Sequence, residues 1–244
     1  MAKIMLVVQY DGTDYAGFQW QPNVATVQAE IQKALSGVLQ EPVVVTGAGR
    51  TDAGVHALGQ VVTFTTEKPI PTENIVGAIN DHLPVAVNVV SARPVADDFH
   101  PRYDAIGKLY SYRILNRIPG SPFISRYAWH IPEPLDTELM RAASAVLVGR
   151  HDFATFCAAG SSVENTIRQI HRFDIEDEDS TIRMYIAGDG FLYKMVRLMV
   201  GTVVQVGLGR LAVAEVKQIL GGPDEIKPGP PAPSCGLCLV RIDY

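Results

Sequence analysis

Arg50, Asp52 and His56 fall within seven residues, in the string Gly47-Ala-Gly-Arg-Thr-Asp-Ala-Gly-Val-His-Ala57. A carboxylate held beside a cation can act as a nucleophile or a base. The glycines let a backbone take left-handed angles or let a ligand come close. A P-loop would need a Gly-Lys-Ser/Thr triplet, and the string has none. A dinucleotide fingerprint would put its third glycine at Asp52, whose charge repels a pyrophosphate. Asp52 and His56 are too few to hold a metal, and the other histidines are scattered along the chain. Two readings of Asp52 stay open: a reactive acid, or an Asp beside Gly that caps a turn.

Other residues offer partners. After Gly190, an apolar stripe of Phe191, Met195, Leu198, Met199, Thr202 and Val206 has Lys194, Arg197, Gly201 and Gln205 on another face at steps of three and four. The two cations either pair with an anion or snorkel to solvent. Tyr110 and Tyr112 alternate on one strand face with Arg113 on the other. Such rings stack on nucleobases or fill a core. Gly12-Thr-Asp-Tyr-Ala-Gly-Phe-Gln-Trp-Gln21 is a polar and aromatic loop. Cys235-Gly-Leu-Cys238 has a CxxC spacing but no second pair, so neither zinc nor redox chemistry is expected there.

These residues need elements to position them. The expected strands of the first part are Lys3–Tyr10, Pro42–Thr46, Gln60–Thr65 and Val85–Val90. Helices are expected over Val27–Leu39, with Thr26 as N-cap, and Thr72–His82. The order βαββαβ predicts a ferredoxin-like unit. Later come a strand Leu109–Leu115, a helix Leu135–Leu147, a hairpin Ile167–Ile175 and Ile182–Ala187 around Glu176–Ser180, and helices Gly190–Val206 and Val213–Leu220. Gly221-Gly-Pro and Pro228-Gly-Pro-Pro-Ala-Pro233 read as a stiff connector before a last strand, Leu237–Ile242. The fold class expected is α+β: two ferredoxin-like, RRM-like units with mainly antiparallel sheets around a central cleft. Residues 1–104 carry the Asp loop, and residues 105–244 complete the cleft.

The bulk composition fits this. The chain has 244 residues, 47% hydrophobic and 19% charged, enough for a sizeable core. No apolar run reaches the roughly 18–20 residues that cross a bilayer, and no secretory leader is evident. With three cysteines, a disulfide framework is not expected, and a cytoplasmic location is. The net charge of −5 argues against a uniformly basic nucleic-acid binder. Charge is segregated, however. From His100 to Arg126, Arg102, Lys108, Arg113, Arg117 and Arg126 face one acid, Asp104, whereas Asp174–Asp179 holds five acids and no base. A basic cleft on an acidic body is compatible with this pattern.

Taken together, Tyr10-Asp-Gly-Thr-Asp-Tyr-Ala-Gly-Phe-Gln, Gly49-Arg-Thr-Asp-Ala-Gly-Val-His-Ala, Asp97-Asp-Phe-His-Pro-Arg, Lys108-Leu-Tyr-Ser-Tyr, Phe191-Leu-Tyr-Lys-Met-Val-Arg and Gly236-Leu-Cys-Leu-Val resemble the TruA-type tRNA pseudouridine synthases, in order from end to end. The resemblance implies that Asp52 is the catalytic aspartate, Tyr110 stacks on the target uracil, and Arg197 pairs with Asp52 and favours its charged form. It also implies that Leu237 lines the base pocket and Arg50 contacts RNA. Lys108, Arg102, Lys194 and Arg113 are the further candidates for RNA contact. The family implies tRNA as substrate, a homodimer, and no metal or organic cofactor. The target uridines would lie in the anticodon stem-loop, roughly positions 38–40. Phe18 departs from the Trp of some members, and Cys238 from a common Tyr. A non-catalytic RNA-binding module and an aspartate-dependent glycosidase are the alternatives, the latter usually needing two carboxylates.

Overall fold

The computed structural model describes residues 2–68, 71–160, 163–222 and 226–244. Pro223 of the expected Gly221-Gly-Pro turn lies outside them. The chain forms two compact units, one of residues up to Ile106 with Cys238–Tyr244, the other of Gly107–Leu237. Both are mixed α+β, with mainly antiparallel pairing inside each.

The first unit runs β1 (Ala2–Tyr10), α1 (Val27–Leu39), β2 (Thr46–Gly47), β3 (His56–Thr66), α2 (Thr72–Asn80) and β4 (Val87–Val95). β1 lies between β4 and β3, antiparallel to both. β2 joins β3 antiparallel at Thr46–Thr63 and Gly47–Val62. At the other end of β3, Cys238 and Leu239 of the last strand pair in parallel with His56 and Ala57. Rungs Ile4–Phe64 and Leu6–Val62 stack apolar side chains on one face. α1 buries Val27, Ile31, Ala34, Leu35 and Leu39, the helical spacing expected from sequence.

The segment expected as a strand over Pro42–Thr46 is a strand only at Thr46–Gly47. Its backbone is served by a helix face instead. Val43 N–H donates to Ser36 Oγ (3.0 Å), Val45 N–H to Gln32 Oε1 (3.1 Å), and Gln28 Nε2 to Val45 O (2.7 Å). Gln28, Gln32 and Ser36 sit at steps of four, so one row of α1 replaces a neighbouring strand. Thr26 occupies the N-cap position without a side-chain capping bond. The N–H groups of Val27 and Gln28 donate instead to the carbonyls of Gly17 (3.3 Å) and Phe18 (2.9 Å). The loop after β1 therefore caps α1.

The second unit runs β5 (Gly107–Leu115), β6 (Trp129–His130), α3 (Thr137–Val146), β7 (Gly149–Asp152), β8 (Ile167–Glu178), β9 (Thr181–Gly188), α4 (Met195–Gly207) and α5 (Val213–Gly221), and β10 (Leu237–Asp243) starts on its last residue. Its sheet order is β5-β9-β8-β7, with β6 parallel to β5. The acidic hairpin turns on Asp179 and Ser180, both at positive φ (45° and 72°). No helix among the described residues is long and apolar enough to cross a membrane.

α4 begins at Met195 rather than Gly190, because Lys194 takes a left-handed conformation (φ 56°) that stops a helix from extending backwards. The expected polar face of α4 is covered by the proline-rich segment. Arg197 Nε donates to Ala232 O (2.7 Å) and Ala232 N–H to Arg197 O (2.9 Å). Gly229 N–H donates to Thr202 Oγ1 (2.9 Å). A Cβ on Gly201 would lie 1.8 Å from Pro230 O. In an open helix, Gly→Ala stabilises by roughly 1 kcal/mol. Here we expect Gly201→Ala to destabilise by about 3 kcal/mol, a reversal of sign readable in urea unfolding of the variant.

Candidate active site

Asp52 sits half-buried in the connection 48–55 between β2 and β3, and Arg50 is exposed on the same loop. The loop is braced from both ends. Ala48 N–H donates to Val61 O (2.8 Å) and Val55 N–H to Asp52 O (3.1 Å). Of Gly47, Gly49 and Gly54, only Gly54 takes left-handed angles (φ 75°).

The loop after β1 lies directly against it. Phe18 N–H donates to Thr51 O (3.1 Å) and Gly54 N–H to Tyr15 O (3.3 Å). A Cβ on Gly12 would fall 2.0 Å from Val55 O, so the approach demands glycine. Two strings far apart in sequence, residues 12–18 and 49–56, are thus one built structure. Behind them, Tyr10 OH meets Thr51 Oγ1 at 2.8 Å, and Gln60 Nε2 donates to Gly49 O at 3.1 Å. Burial raises the Tyr10 phenol well above its ordinary pKa, against the lowering by its bonds to Thr51 and Gln60.

His56 is the first residue of β3, buried at 6% exposure. Its Nδ1 accepts from Gly12 N–H at 3.1 Å. Asp11 Oδ1, 3.1 Å from the same nitrogen, accepts from Thr13 N–H (3.0 Å) and Thr13 O–H (2.6 Å). His56 is therefore part of the frame that joins the two loops. Arg102 is exposed on a turn in which its N–H and that of Tyr103 donate to His100 Nδ1 (3.1 and 3.3 Å). Its guanidinium carbon lies 5.9 Å from the centre of the exposed Tyr103 ring.

In the second unit the tyrosine strand divides its labour. Tyr112 is fully buried, donates its hydroxyl to Pro233 O (2.8 Å), and sits edge-on to Trp129. It is a core residue. Tyr110 is half-buried and edge-on to Phe191, with centroids 5.2 Å apart at 88°. Arg113 lies on the opposite face of β5, across from Arg183, whose other neighbour is Glu176. Lys108 is half-buried opposite Gly188.

The segment that pins Arg197 runs on through Cys235 to Leu237, which is 5% exposed. Burial raises the Cys235 thiol pKa, with backbone hydrogen bonds and Arg197 lowering it in part. Arg197 is half-buried, with its Nε fixed on a carbonyl, so it is an ordered cation and not a snorkelling one. Lys194 precedes the helix, with its ammonium 5.1 Å from the centre of the Tyr193 ring. None of the three cysteines is joined in a disulfide. Among the described residues no group of three His, Cys, Asp or Glu is placed to hold a metal.

A family profile described as tRNA pseudouridine synthase matches residues 6–104 and 143–244. The chain belongs to the tRNA pseudouridine synthase family. The protein named tRNA pseudouridine synthase A from Thermoanaerobacter sp. (strain X514) is 47% identical over 244 residues, covering 100% of both chains. Those of Moorella thermoacetica and Pelobacter propionicus are 44% and 43% identical, again with 100% of both chains covered. The resemblance read from scattered motifs is thus met over the whole length. Arg50, Asp52 and Arg102 fall in the first matched piece of the synthase profile, Lys194, Arg197 and Leu237 in the second, and Lys108, Tyr110 and Arg113 between them.

Tyr10, Thr51 and Gln60, joined beneath the loop, are not candidates from sequence alone, although Tyr10 and Thr51 stand inside the motifs that carry the family resemblance. The available signal was Gln60, a polar side chain at an apolar strand position. For Tyr112, loss of the hydroxyl leaves Pro233 O without its donor. Tyr112→Phe should cost about 1 kcal/mol of stability in denaturant titration while leaving tRNA affinity unchanged.

Proposed function

We propose that this chain isomerises uridine to pseudouridine in the anticodon stem-loop of tRNA, with Asp52 as nucleophile or base. The observation that carries the reading is the intact Gly-Arg-Thr-Asp-Ala-Gly-Val-His string, held as a cross-braced loop in a chain matched end to end by synthases. The reaction breaks the C1′–N1 glycosidic bond, turns the uracil, and joins C5 to the same C1′. The C5 hydrogen leaves to solvent as a proton, N1 takes one up, and no electrons are gained or lost. Such a step asks for one reactive carboxylate, a held base and a site without free water, and calls for no organic cofactor.

In this reading Tyr110 and Leu237 hold a uracil flipped from its stack, where aromatic and apolar contact offsets the unstacking. Phe191, edge-on to Tyr110, limits the angles its ring can take. Arg197 supplies the cation opposite Asp52, and its bond to Ala232 O fixes where that cation stands. Attack at ribose C1′, attack at uracil C6 and proton removal in a glycal route all use the same carboxylate. Arg50, Arg102, Lys108, Lys194 and Arg113 meet the RNA backbone. Each unit is read as a ferredoxin-like plan, residues 1–104 carrying the Asp loop and 105–244 completing the cleft. Two copies form a homodimer that shares one anticodon arm, since a single acidic chain offers few cations. The enzyme works in the cytoplasm.

Asp52→Asn keeps the shape and removes the charge. We expect it to bind tRNA normally and to release tritium from 5-labelled uridine in tRNA at least a thousandfold more slowly, the order of loss seen when a covalent catalyst is removed. Normal release by Asp52→Asn would refute the role. Release accompanied by strand or base loss would identify a glycosidase. Arg102→Gln tests the electrostatic side: affinity should fall alike for all tRNAs, and the slope of log K against log salt should drop by about 1.

A further inference from the structure

Gln60 breaks the pattern of its strand. It stands opposite Val8, on the face whose other rungs are Ile4–Phe64 and Leu6–Val62, and it is 0% exposed. An apolar residue would continue that face. A buried amide persists only where its groups are bonded. Here Nε2 donates to Gly49 O (3.1 Å), Oε1 accepts from Val61 N–H (3.1 Å), and Nε2 also reaches Tyr10 OH at 3.5 Å, the longest of the three.

Tyr10 is 4% exposed and Thr51 is 7% exposed, and their hydroxyls meet at 2.8 Å. An amide nitrogen only donates, so the Tyr10 oxygen accepts from Gln60, while between Tyr10 and Thr51 either hydroxyl can be the donor. The hydrogen-bond chain then runs from Gln60 through Tyr10 to the residue next to Asp52. The second Gln60 N–H holds Gly49, at the start of the same turn. All three side chains are buried.

We propose that Tyr10, Thr51 and Gln60 are positioning residues that set the path of Gly49–Asp52 and so hold the Asp52 carboxylate ready before uridine arrives. The inference rests on the catalytic role given to Asp52 above. A misplacement near 1 Å can cost about a hundredfold in rate while leaving remote binding contacts intact. The network therefore acts on turnover and not on tRNA affinity.

The test is single-turnover tritium release with 5-labelled uridine tRNA, beside tRNA binding and thermal melting of each variant. Tyr10→Phe and Thr51→Val each remove one hydroxyl with little change of volume. Each should slow release by about tenfold or more with affinity unchanged and a cooperative melt retained. Thr51→Ser, which keeps the hydroxyl, should return most of the rate. The double variant should be no slower than the slower single one, since both cut the same link. The inference is overturned if Tyr10→Phe turns over at the native rate, if Thr51→Ser is as slow as Thr51→Val, if the two losses multiply, or if affinity falls in step with rate. Asp52→Asn, run in parallel, separates the two claims. Full activity there sinks the catalytic role itself, whereas an inert Asp52→Asn with a fast Tyr10→Phe sinks only the positioning network.

Discussion

The carbonyl of Thr51 and the N–H of Phe18 meet at 3.1 Å, and the carbonyl of Phe18 takes the N–H of Gln28 at 2.9 Å. One residue, Phe18, thus ties the Asp52 loop to the first turn of α1. The remaining features of the first unit follow from how close these backbones must come. Gly12 has no side chain because Val55 O occupies the space a Cβ would need. His56 turns its ring to accept the Gly12 N–H. The helix does without a side-chain cap because the loop supplies its carbonyls. A loop that bears function is held here by main-chain bonds between two irregular segments as much as by the sheet beneath them.

In the second unit the corresponding constraint is the contact of the proline-rich segment with α4. Prolines keep that segment extended and remove its donors, so its carbonyls are presented to Arg197 and its few N–H groups are spent on the helix. The same close approach that excludes a side chain from Gly201 sets the direction of the guanidinium. Tyr112 secures the segment from the strand side through Pro233 O.

Much of this was legible from residues. The apolar spacing of α1 gave its ends as Val27 and Leu39, and strand alternation located β1, β5 and the β8–β9 hairpin, because these elements obey a single period. The mixed α+β class with mainly antiparallel pairing followed from element order. Legibility failed where one element's needs are met by another far along the chain. Pro42–Thr46 has strand composition, yet α1 side chains satisfy its backbone. The row of Arg197 and Gly201 has the spacing of an exposed face, yet residues 229–232 lie on it. His56 belongs to a glycine-rich string, yet it begins a strand. The polar network under the Asp52 loop was hidden for the same reason: Gln60 departs from the apolar pattern of its strand, but the groups it bonds, Gly49 and Tyr10, lie far from it in sequence.

The pairing of β10 with β3 carries a consequence for how the protein is made. β1 takes one edge of β3. The other edge is shared, with β2 at Val62 and Thr63 and β10 at His56 and Ala57. The half nearest Asp52 is thus completed by residues translated long after the rest of the first unit has left the ribosome. Contacts of such large sequence separation form late. Until they form, a short stretch of strand edge stays open beside the loop, and a nascent chain holds every residue of the Asp52 motif without the finished frame around it. Synthesis order therefore keeps the carboxylate's surroundings unfinished until the far end of the chain has been delivered.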